Sequence, residues 1–209
     1  SAVSIIEFNK LSKKILKKNK IIKYFINTVS YIYLIFFMYS AFQIYILGIN
    51  FTIFIILICV FSDIGGYVFG KTIGGKKLTK ISPNKTISGS VGSFIFSFTP
   101  IIIFITISSF SNNSEFEIYL SDFPKILYVC LFVSLINQLG DLFISFFKRK
   151  AKVKDTGKIL PGHGGLLDRI DGIIFALPYA GFKLYGLDVW NSLSLAISYI
   201  TRWKKKLQY

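Results

Sequence analysis

The segment from Pro161 to Asp171, PGHGGLLDRID, concentrates residue types that could do chemistry in an otherwise apolar chain. It contains the chain's only histidine, His163, and two carboxylates, Asp168 and Asp171, that are three residues apart. At the start of a helix this spacing directs both carboxylates to one side. Without a nearby cysteine or second histidine, such a pair suits a hard cation such as Mg²⁺, which shares its coordination with substrate phosphates. The single histidine in this loop, by contrast, is as consistent with a solvated side chain as with a functional one.

The glycines at 162, 164 and 165 belong to the same segment. They would let the backbone approach a ligand or another segment at distances that a side chain would block. We therefore expect a tightly folded loop there.

A second polar pattern lies within the apolar stretch 126–147. Four polar side chains recur at i, i+4, i+8 and i+11, and therefore share one helical face: Asn137, Asp141, Ser145 and Lys148. A polar stripe in a membrane span should line a protein interior or a water-filled cavity rather than face lipid. The pattern favours a functional site, and interhelical hydrogen bonding is the alternative.

A third candidate is the loop KTIGGKKLTKISPNKTISGS, which begins at Lys71. It matches neither a Walker phosphate loop nor a dinucleotide-binding fingerprint. It nevertheless offers cations and hydroxyls of the kind that bind a polyphosphate, at Lys80, Ser82, Lys85, Thr86 and Ser88. A solvated basic loop would have the same composition, so this pattern alone does not distinguish a phosphate-binding loop from a solvated one.

The elements that must position these residues are membrane helices. The chain has 209 residues, 53% of them hydrophobic, and a mean hydropathy of +0.57. Since about 20 apolar residues cross a bilayer core, the sequence predicts an all-α, polytopic transmembrane helical bundle with cytoplasmic catalytic loops. The predicted spans are 24–47, 51–70, 87–110 and 126–147, with a fifth from about 172 to 190. Cys59 and Cys130 lie within spans, where we expect them to pack as small apolar residues.

The distribution of charge fixes the expected topology. The net charge is +15, with seven lysines in 10–23, five in 71–85 and seven lysines or arginines in 148–169. The 111–124 loop has three acids and no basic residue. By the positive-inside rule, the three basic segments lie in the cytoplasm and the 111–124 loop lies outside. This arrangement indicates a lipid bilayer rather than nucleic acid as the partner of the basic residues. The topology after residue 190 remains open.

Residues 1–23 form a predicted basic amphipathic segment, which we separate from a transmembrane catalytic domain at 24–209. The apolar residues of 5–23 have near-helical spacing, so this helix would lie on an anionic membrane surface. In the second span, Ser62, Gly66 and Gly70 form a ridge of small residues that would allow a close helix contact. Asp63 beside them must face a polar cavity or a partner, because a carboxylate facing lipid is costly.

Three runs near the C-terminus resemble the signature of the phosphatidate cytidylyltransferase (CDP-diacylglycerol synthase) family. They are SFFKR from Ser145, KDTG from Lys154 and LPGHGGLLDRID from Leu160. Further matches lie upstream in SDIGGYVFGK, ISPNKT and NQLGD, so that the resemblance covers about residues 50–185. The chain departs from the family at Ile87 and Ser88, where members often have an aromatic residue and an acid. The family's N-terminal spans are largely missing from this sequence, which does not begin with Met.

The resemblance implies the transfer of CMP from CTP to phosphatidic acid, which gives CDP-diacylglycerol and pyrophosphate at the cytoplasmic (inner) membrane. It implies that Mg²⁺ is held by Asp141, Asp168 and Asp171. Catalytic roles are implied for these three acids and for Lys148, Arg149, His163 and Arg169. Substrate contacts are expected from Ser82, Pro83, Lys85, Thr86, Ser145, Lys154, Asp155, Gly164 and Gly165. Asp63 would support the polar cavity, and a homodimer is left open.

Two other classes of function remain at this point. A related CTP-dependent polyprenol kinase would transfer the γ-phosphate and release CDP, and another lipid cytidylyltransferase would use a different membrane lipid. A transporter or scaffold with a polar path between its helices would bind ligands without nucleotide turnover. The combination of glycine-rich loop and paired carboxylates favours chemistry.

Overall fold

The computed structural model describes residues 2–16, 20–47, 49–79, 81–110, 123–157, 159 and 164–182. Within them the fold is all-α, as predicted. The helices are α1 (Ala2–Ile15), α2 (Lys20–Leu47), α3 (Ile49–Thr72), α4 (Ile87–Phe96), α5 (Thr99–Phe110), α6 (Phe123–Lys150) and α7 (Ile173–Phe182).

Four segments of this structure are long and apolar enough to cross a membrane: Lys20–Ile46, Ile49–Thr72, Ile87–Thr106 and Phe123–Lys150. The chain is therefore a multi-pass membrane protein. Four of the predicted spans are confirmed, three of them by α2, α3 and α6. α2 begins a few residues before its predicted start, and α3 and α6 extend a few residues beyond both predicted ends. The fifth predicted span begins at α7. Its later part, most of the 111–124 loop and the C-terminal tail lie outside the described residues.

The third predicted span, 87–110, is confirmed by the apolar segment Ile87–Thr106, but it is not one continuous helix. It consists of α4 and α5, which are separated at Ser97 and Phe98. Pro100 lies in the first turn of α5, where its missing N–H is tolerated, whereas an uninterrupted helix would lose a hydrogen bond at this point. The Ser97 hydroxyl donates to the carbonyl oxygen of Phe94 (2.7 Å) and helps to end α4.

The amphipathic helix predicted over 5–23 is also wrong in extent, because α1 ends at Ile15 and α2 begins at Lys20. Lys13 and Lys14 occupy the last turn of α1, where cations interact favourably with the helix dipole. One face of α1 packs against α2 and α6 and buries Leu11, while Lys10 on another face is exposed. The division at residue 23 and the membrane-surface role stay predictions.

Two residues of the predicted ridge on α3, Gly66 and Gly70, pack against α4, whereas the Ser62 hydroxyl hydrogen-bonds to Ser134 on α6 (2.7 Å). A Cβ added to Gly66 would lie 2.6 Å from the Ser93 hydroxyl, and one added to Gly92 would lie 2.6 Å from the Gly65 carbonyl oxygen. Real Cβ atoms do not approach this closely, so these glycines allow the two helices to pack backbone against backbone. The close contact brings the N-terminus of α4 beside Asp63.

The main apolar core lies between α3, α5, α6 and α7 and contains Ile58, Val133 and Ala176. Cys59 and Cys130 belong to this core and are free thiols, which confirms the packing role predicted for them. A second cluster joins α1, α2, α6 and the loop before α7 through Leu11, Leu34, Ile144 and Leu167. The core therefore ties the loop that contains the carboxylates to the membrane helices.

Candidate active site

A polar cavity of about 300 Å³ opens where α3, the start of α4 and α6 meet. Side chains from three separate parts of the sequence line it, among them Asp63, Ser82, Lys85, Thr86, Gln138 and Asp141. The close packing of α3 on α4 and the polar face of α6 together create this space. It is the region in which the three upstream motifs, SDIGGYVFGK, ISPNKT and NQLGD, meet.

The loop before α4 is folded so that Lys85 reaches the cavity. The Lys85 amide donates to the Ser82 carbonyl oxygen (3.1 Å), and the Leu78 amide donates to the Lys85 carbonyl oxygen (2.8 Å). Thr86 is the N-cap of α4, and its hydroxyl accepts from the Gly89 amide at 3.0 Å. A threonine cap of this kind fixes the start of the helix. The capping role accounts for Thr86, and Lys85 is free to point into the cavity.

Asp141 on α6 lies at the centre of the charged groups. The Lys85 ammonium forms an ion pair with Asp141 Oδ2. The Ser145 hydroxyl, one turn further along α6, donates to Asp141 Oδ1 at 3.3 Å. One turn earlier, the Asn137 amide donates to Asp63 Oδ1 at 2.8 Å. The polar face predicted on this helix is therefore confirmed as facing the protein interior.

Asp171 reaches Asp141 because two glycines let the loop before α7 approach α6. A Cβ added to Gly140 would lie 2.9 Å from the Asp171 carbonyl oxygen, and one added to Gly172 would collide with Asn137. Asp171 forms a side-chain hydrogen bond with Asp141. Burial, followed by the adjacent Asp141 carboxylate, raises the pKa of Asp171 to about 8. The two carboxyl groups therefore lie in direct contact.

Asp168 occupies a different environment, three residues earlier. Its Oδ1 accepts from the Lys148 ammonium at 2.9 Å. Its Oδ2 accepts from the Thr156 amide (2.8 Å), the Thr156 hydroxyl (3.0 Å) and the Gly165 amide (3.0 Å). Burial by itself would raise the pKa of Asp168, but the bonds from Lys148 and the two amides outweigh burial and hold the pKa below its usual value.

The glycines of this loop have the role that the sequence predicts. Gly164 has a φ of +84°, a left-handed conformation that favours glycine. A Cβ added to Gly165 would lie 2.7 Å from the Gly157 amide nitrogen and would collide with the Thr156 hydroxyl. The loop is thus packed directly against the KDTG segment. Gly162 and His163 lie outside the described residues.

The structure brings together many of the predicted site residues. One group consists of Lys85, Asp141, Ser145 and Asp171. A second group is centred on Lys148, which lies about two helical turns after Asp141 on α6, and also contains Asp168, Gly164 and Gly165. Ser82 and Thr86 line the polar cavity. The remaining predicted residues are exposed at the surface around these groups: Pro83, Arg149, Lys154, Asp155 and Arg169.

The prediction that Asp141, Asp168 and Asp171 bind Mg²⁺ stays a prediction. Within the described residues, no group of three or more histidine, cysteine or acidic side chains is arranged to hold a metal ion. The adjacent carboxyl groups of Asp141 and Asp171 do fit a hard divalent cation, which would relieve the repulsion between them once both ionise. Both oxygens of Asp168 already accept hydrogen bonds from protein donors, and this environment suits an organising role in the loop.

Sequence reasoning missed two residues of this region, Glu7 and Thr156. Glu7 is fully buried on α1 and accepts hydrogen bonds from the loop that contains Asp168. A signal was available, because Glu7 is the only acid before Asp63 and lies within a strongly basic segment. Thr156 belongs to the quoted KDTG run, but its contacts with two carboxylates depend on the fold.

Comparisons with known proteins identify the family of the chain. The model of the Cytidylyltransferase family matches residues 2–185. Proteins named phosphatidate cytidylyltransferase are similar to this chain at 41% identity: over 138 residues in Staphylococcus haemolyticus, 139 in Staphylococcus saprophyticus and 138 in Staphylococcus aureus. Each alignment covers 66% of this chain and 50% of the relative, so the chain spans about half the length of the curated relatives it matches. The family match extends over most of the chain, which therefore belongs to the Cytidylyltransferase family.

Proposed function

We propose that the protein is a phosphatidate cytidylyltransferase, which transfers CMP from CTP to phosphatidic acid. The observation that carries the proposal is the group formed by Lys85, Asp141 and Asp171, with the ion pair between Lys148 on α6 and Asp168 in the loop before α7 beside it. This group combines cations for phosphate oxygens with carboxylates for a hard cation at the edge of a polar cavity. The named relatives support the choice of CTP and phosphatidate as substrates.

The reaction needs little acid–base chemistry from the protein. A phosphate oxygen of phosphatidate attacks the α-phosphorus of CTP, the bond from that phosphorus to the bridging oxygen breaks, and pyrophosphate leaves. The attacking oxygen is already anionic, so no strong general base is required. Positioning of the two anions and neutralisation of their charge should provide most of the rate enhancement.

Lys85 and Lys148 would meet the phosphates from two sides. Both ammonium groups are paired with a carboxylate, Lys85 with Asp141 and Lys148 with Asp168. Lys85 would be released from its ion pair when the nucleotide phosphates enter the polar cavity. Asp141 and Asp171 would hold Mg²⁺ on those phosphates, where the cation, when bound, would neutralise charge on CTP and on the leaving pyrophosphate.

An apolar cavity of about 320 Å³ lies between α1, α2, α6 and α7, and the loop that contains Asp168 forms part of its wall through Leu167. Its lining is almost entirely aliphatic and aromatic and includes Phe8, Phe25, Val29, Phe143, Phe147 and Leu167. We propose that acyl chains of the lipid substrate enter here. Leu167 lines this cavity and directly precedes Asp168, so a chain in the cavity would leave the lipid phosphate near the charged groups.

The substrates also suggest where the site lies in the cell. Phosphatidate is delivered by the bilayer and CTP by the cytosol, so the site should lie at the cytoplasmic face of the cytoplasmic membrane. The basic segments 71–85 and 148–169 support that orientation through the positive-inside rule. These are the segments that contain the proposed phosphate-binding residues.

The test is a product assay on the full-length protein in vesicles that contain phosphatidate. With CTP and Mg²⁺ we expect CDP-diacylglycerol and pyrophosphate in equal amounts. Release of CDP with a phosphorylated lipid would instead identify a kinase, and binding without turnover would indicate a transporter or scaffold. Lys85→Met should abolish most turnover, and Lys20→Met, which changes an exposed lysine at the start of α2 outside the motifs, is the matched control.

A further inference from the structure

The inference concerns Glu7, a carboxylate on a helix that is distant in sequence from every motif. Glu7 lies in the middle of α1 and is 0% exposed. Burial of a carboxylate in an apolar setting is costly unless hydrogen bonds replace its hydration. An acid in this position therefore needs specific donors, and the identity of those donors indicates its role.

Within the part of the chain that the structure describes, the three donors to Glu7 belong to the segments that surround Asp168. The Leu166 amide donates to Glu7 Oε1 at 3.1 Å, and the Leu167 amide donates to Oε2 at 2.8 Å. The Thr156 hydroxyl lies 3.2 Å from Glu7 Oε2 and 3.0 Å from Asp168 Oδ2. Glu7 thus holds the two residues that immediately precede Asp168 and shares a hydroxyl with Asp168 itself.

The backbone around this carboxylate is shaped to admit it. A Cβ added to Gly157 would lie 2.9 Å from Glu7 Cδ, and one added to Gly165 would lie 2.7 Å from Glu7 Oε1. Any larger residue at either position would displace the carboxylate or the loop. Two glycines of the KDTG and GHGG runs therefore form a space that Glu7 fills.

We propose that Glu7 is a positioning residue for cytidylyl transfer, which holds the 165–168 backbone so that Asp168 and Asp171 face α6. The proposal rests on the proposed function. Asp168 itself is held by Lys148, and Glu7 holds the backbone of the two residues that precede it. If the Glu7 contacts are lost, the loop can move away from α6, and the carboxylates move with it while the membrane helices stay in place.

A variant at Ser12 distinguishes the positioning role of Glu7 from a general role in packing α1 against the other helices. Ser12 is also buried on α1, and its hydroxyl lies 2.6 Å from Asn27 Oδ1 on α2 and 3.0 Å from the Asn9 carbonyl oxygen. The contact with Asn27 joins α1 to α2, the contact with Asn9 lies within α1, and neither involves the loop. Ser12→Ala therefore weakens the packing of α1 without removing an acceptor from the loop amides.

The experiment compares Glu7→Gln and Glu7→Ala with Ser12→Ala in the full-length protein. Glutamine keeps the size of Glu7 but turns an NH₂ group toward one of the loop donors. We expect roughly tenfold lower kcat for Glu7→Gln, equivalent to about 1.4 kcal/mol in the barrier, and a larger loss for Glu7→Ala. The KM for CTP should change by less than about threefold, because the CTP-binding lysine lies on a different loop.

Hydrogen–deuterium exchange is the second readout. Peptides that cover 164–172 should exchange faster in both Glu7 variants, while peptides of α3 and α4 should keep wild-type rates. Ser12→Ala should leave kcat and the exchange of 164–172 within about twofold of wild type even if the melting temperature falls. Unchanged kcat or unchanged exchange in Glu7→Gln would overturn the proposal.

An equal loss of kcat in Ser12→Ala at the same loss of melting temperature would also overturn it, in favour of a purely structural role for α1. Failure of the proposed function is recognised separately. Turnover of phosphatidate and CTP by the wild-type protein tests the reaction, whereas exchange in 164–172 tests the Glu7 contact without any substrate.

Discussion

Replacement of Asp168 by asparagine tests how the loop before α7 is held. The carboxylate accepts from Lys148 through one oxygen and from Thr156 and Gly165 through the other. Asparagine keeps only one acceptor oxygen, so its NH₂ group must face either the Lys148 ammonium or the two backbone amides. One charge-assisted set of contacts is therefore lost in either orientation. A hydrogen bond to a charged group contributes about 1.5–3 kcal/mol, so we expect kcat to fall about 10- to 100-fold.

The assay measures CDP-diacylglycerol formation by the full-length Asp168→Asn protein over a series of Mg²⁺ concentrations. If Asp168 mainly organises the loop, added Mg²⁺ will not restore activity, and exchange of the 164–172 amides will rise. If Asp168 is a metal ligand, high Mg²⁺ will recover part of the activity. Asp188→Asn is the control, a carboxylate outside the motif that should tolerate the change. Small and equal losses in the two variants would refute the reasoning for Asp168.

Three further predictions concern the other charged groups and the helix contact. Lys85→Ala should raise the KM for CTP more than that for phosphatidate, because Lys85 lines the polar cavity; the reverse pattern in steady-state kinetics would assign it to the lipid. Gly92→Ala should lower stability by about 1–3 kcal/mol in thermal denaturation, since its Cβ would meet the Gly65 carbonyl oxygen, whereas exposed Val91→Ala should have little effect. The raised pKa of Asp171 means that the folded protein retains a proton which the unfolded chain releases. Without Mg²⁺, stability should therefore fall as pH rises from about 4 to about 8, and Asp171→Asn should remove this dependence. An equal change of stability with pH in the wild type and in Asp171→Asn would show that Asp171 is not the source of the dependence.

Hydropathy and spacing predicted much of the fold and part of the site. The spans α2, α3 and α6 follow from long apolar stretches, and the polar face of α6 follows from the helical spacing of Asn137, Asp141, Ser145 and Lys148. The break at Ser97 and Phe98 could not be read from hydropathy, because both helices beside it are apolar. In this case the local effect of Pro100 outweighs the continuous apolar pattern.

The role of each carboxylate could not be predicted from sequence, because it depends on which donors the fold brings to each oxygen. Asp168 and Asp171 are both motif acids three residues apart, yet one accepts four hydrogen bonds and the other lies against a second carboxylate. Glu7 reaches Leu167 across 160 residues of sequence. No local pattern relates two positions at that separation, and the contact follows only from the packing of α1 on α6.

The most direct test of the proposed reaction follows the phosphorus atoms of CTP. The full-length protein in phosphatidate vesicles is supplied with CTP that is labelled at either the α-phosphate or the γ-phosphate, and the label in the extracted lipid is measured. Transfer of CMP predicts that the α-label enters the lipid and the γ-label leaves as pyrophosphate, and that Asp141→Asn abolishes the incorporation. Entry of the γ-label into lipid, with the α-label retained in soluble CDP, would contradict cytidylyl transfer.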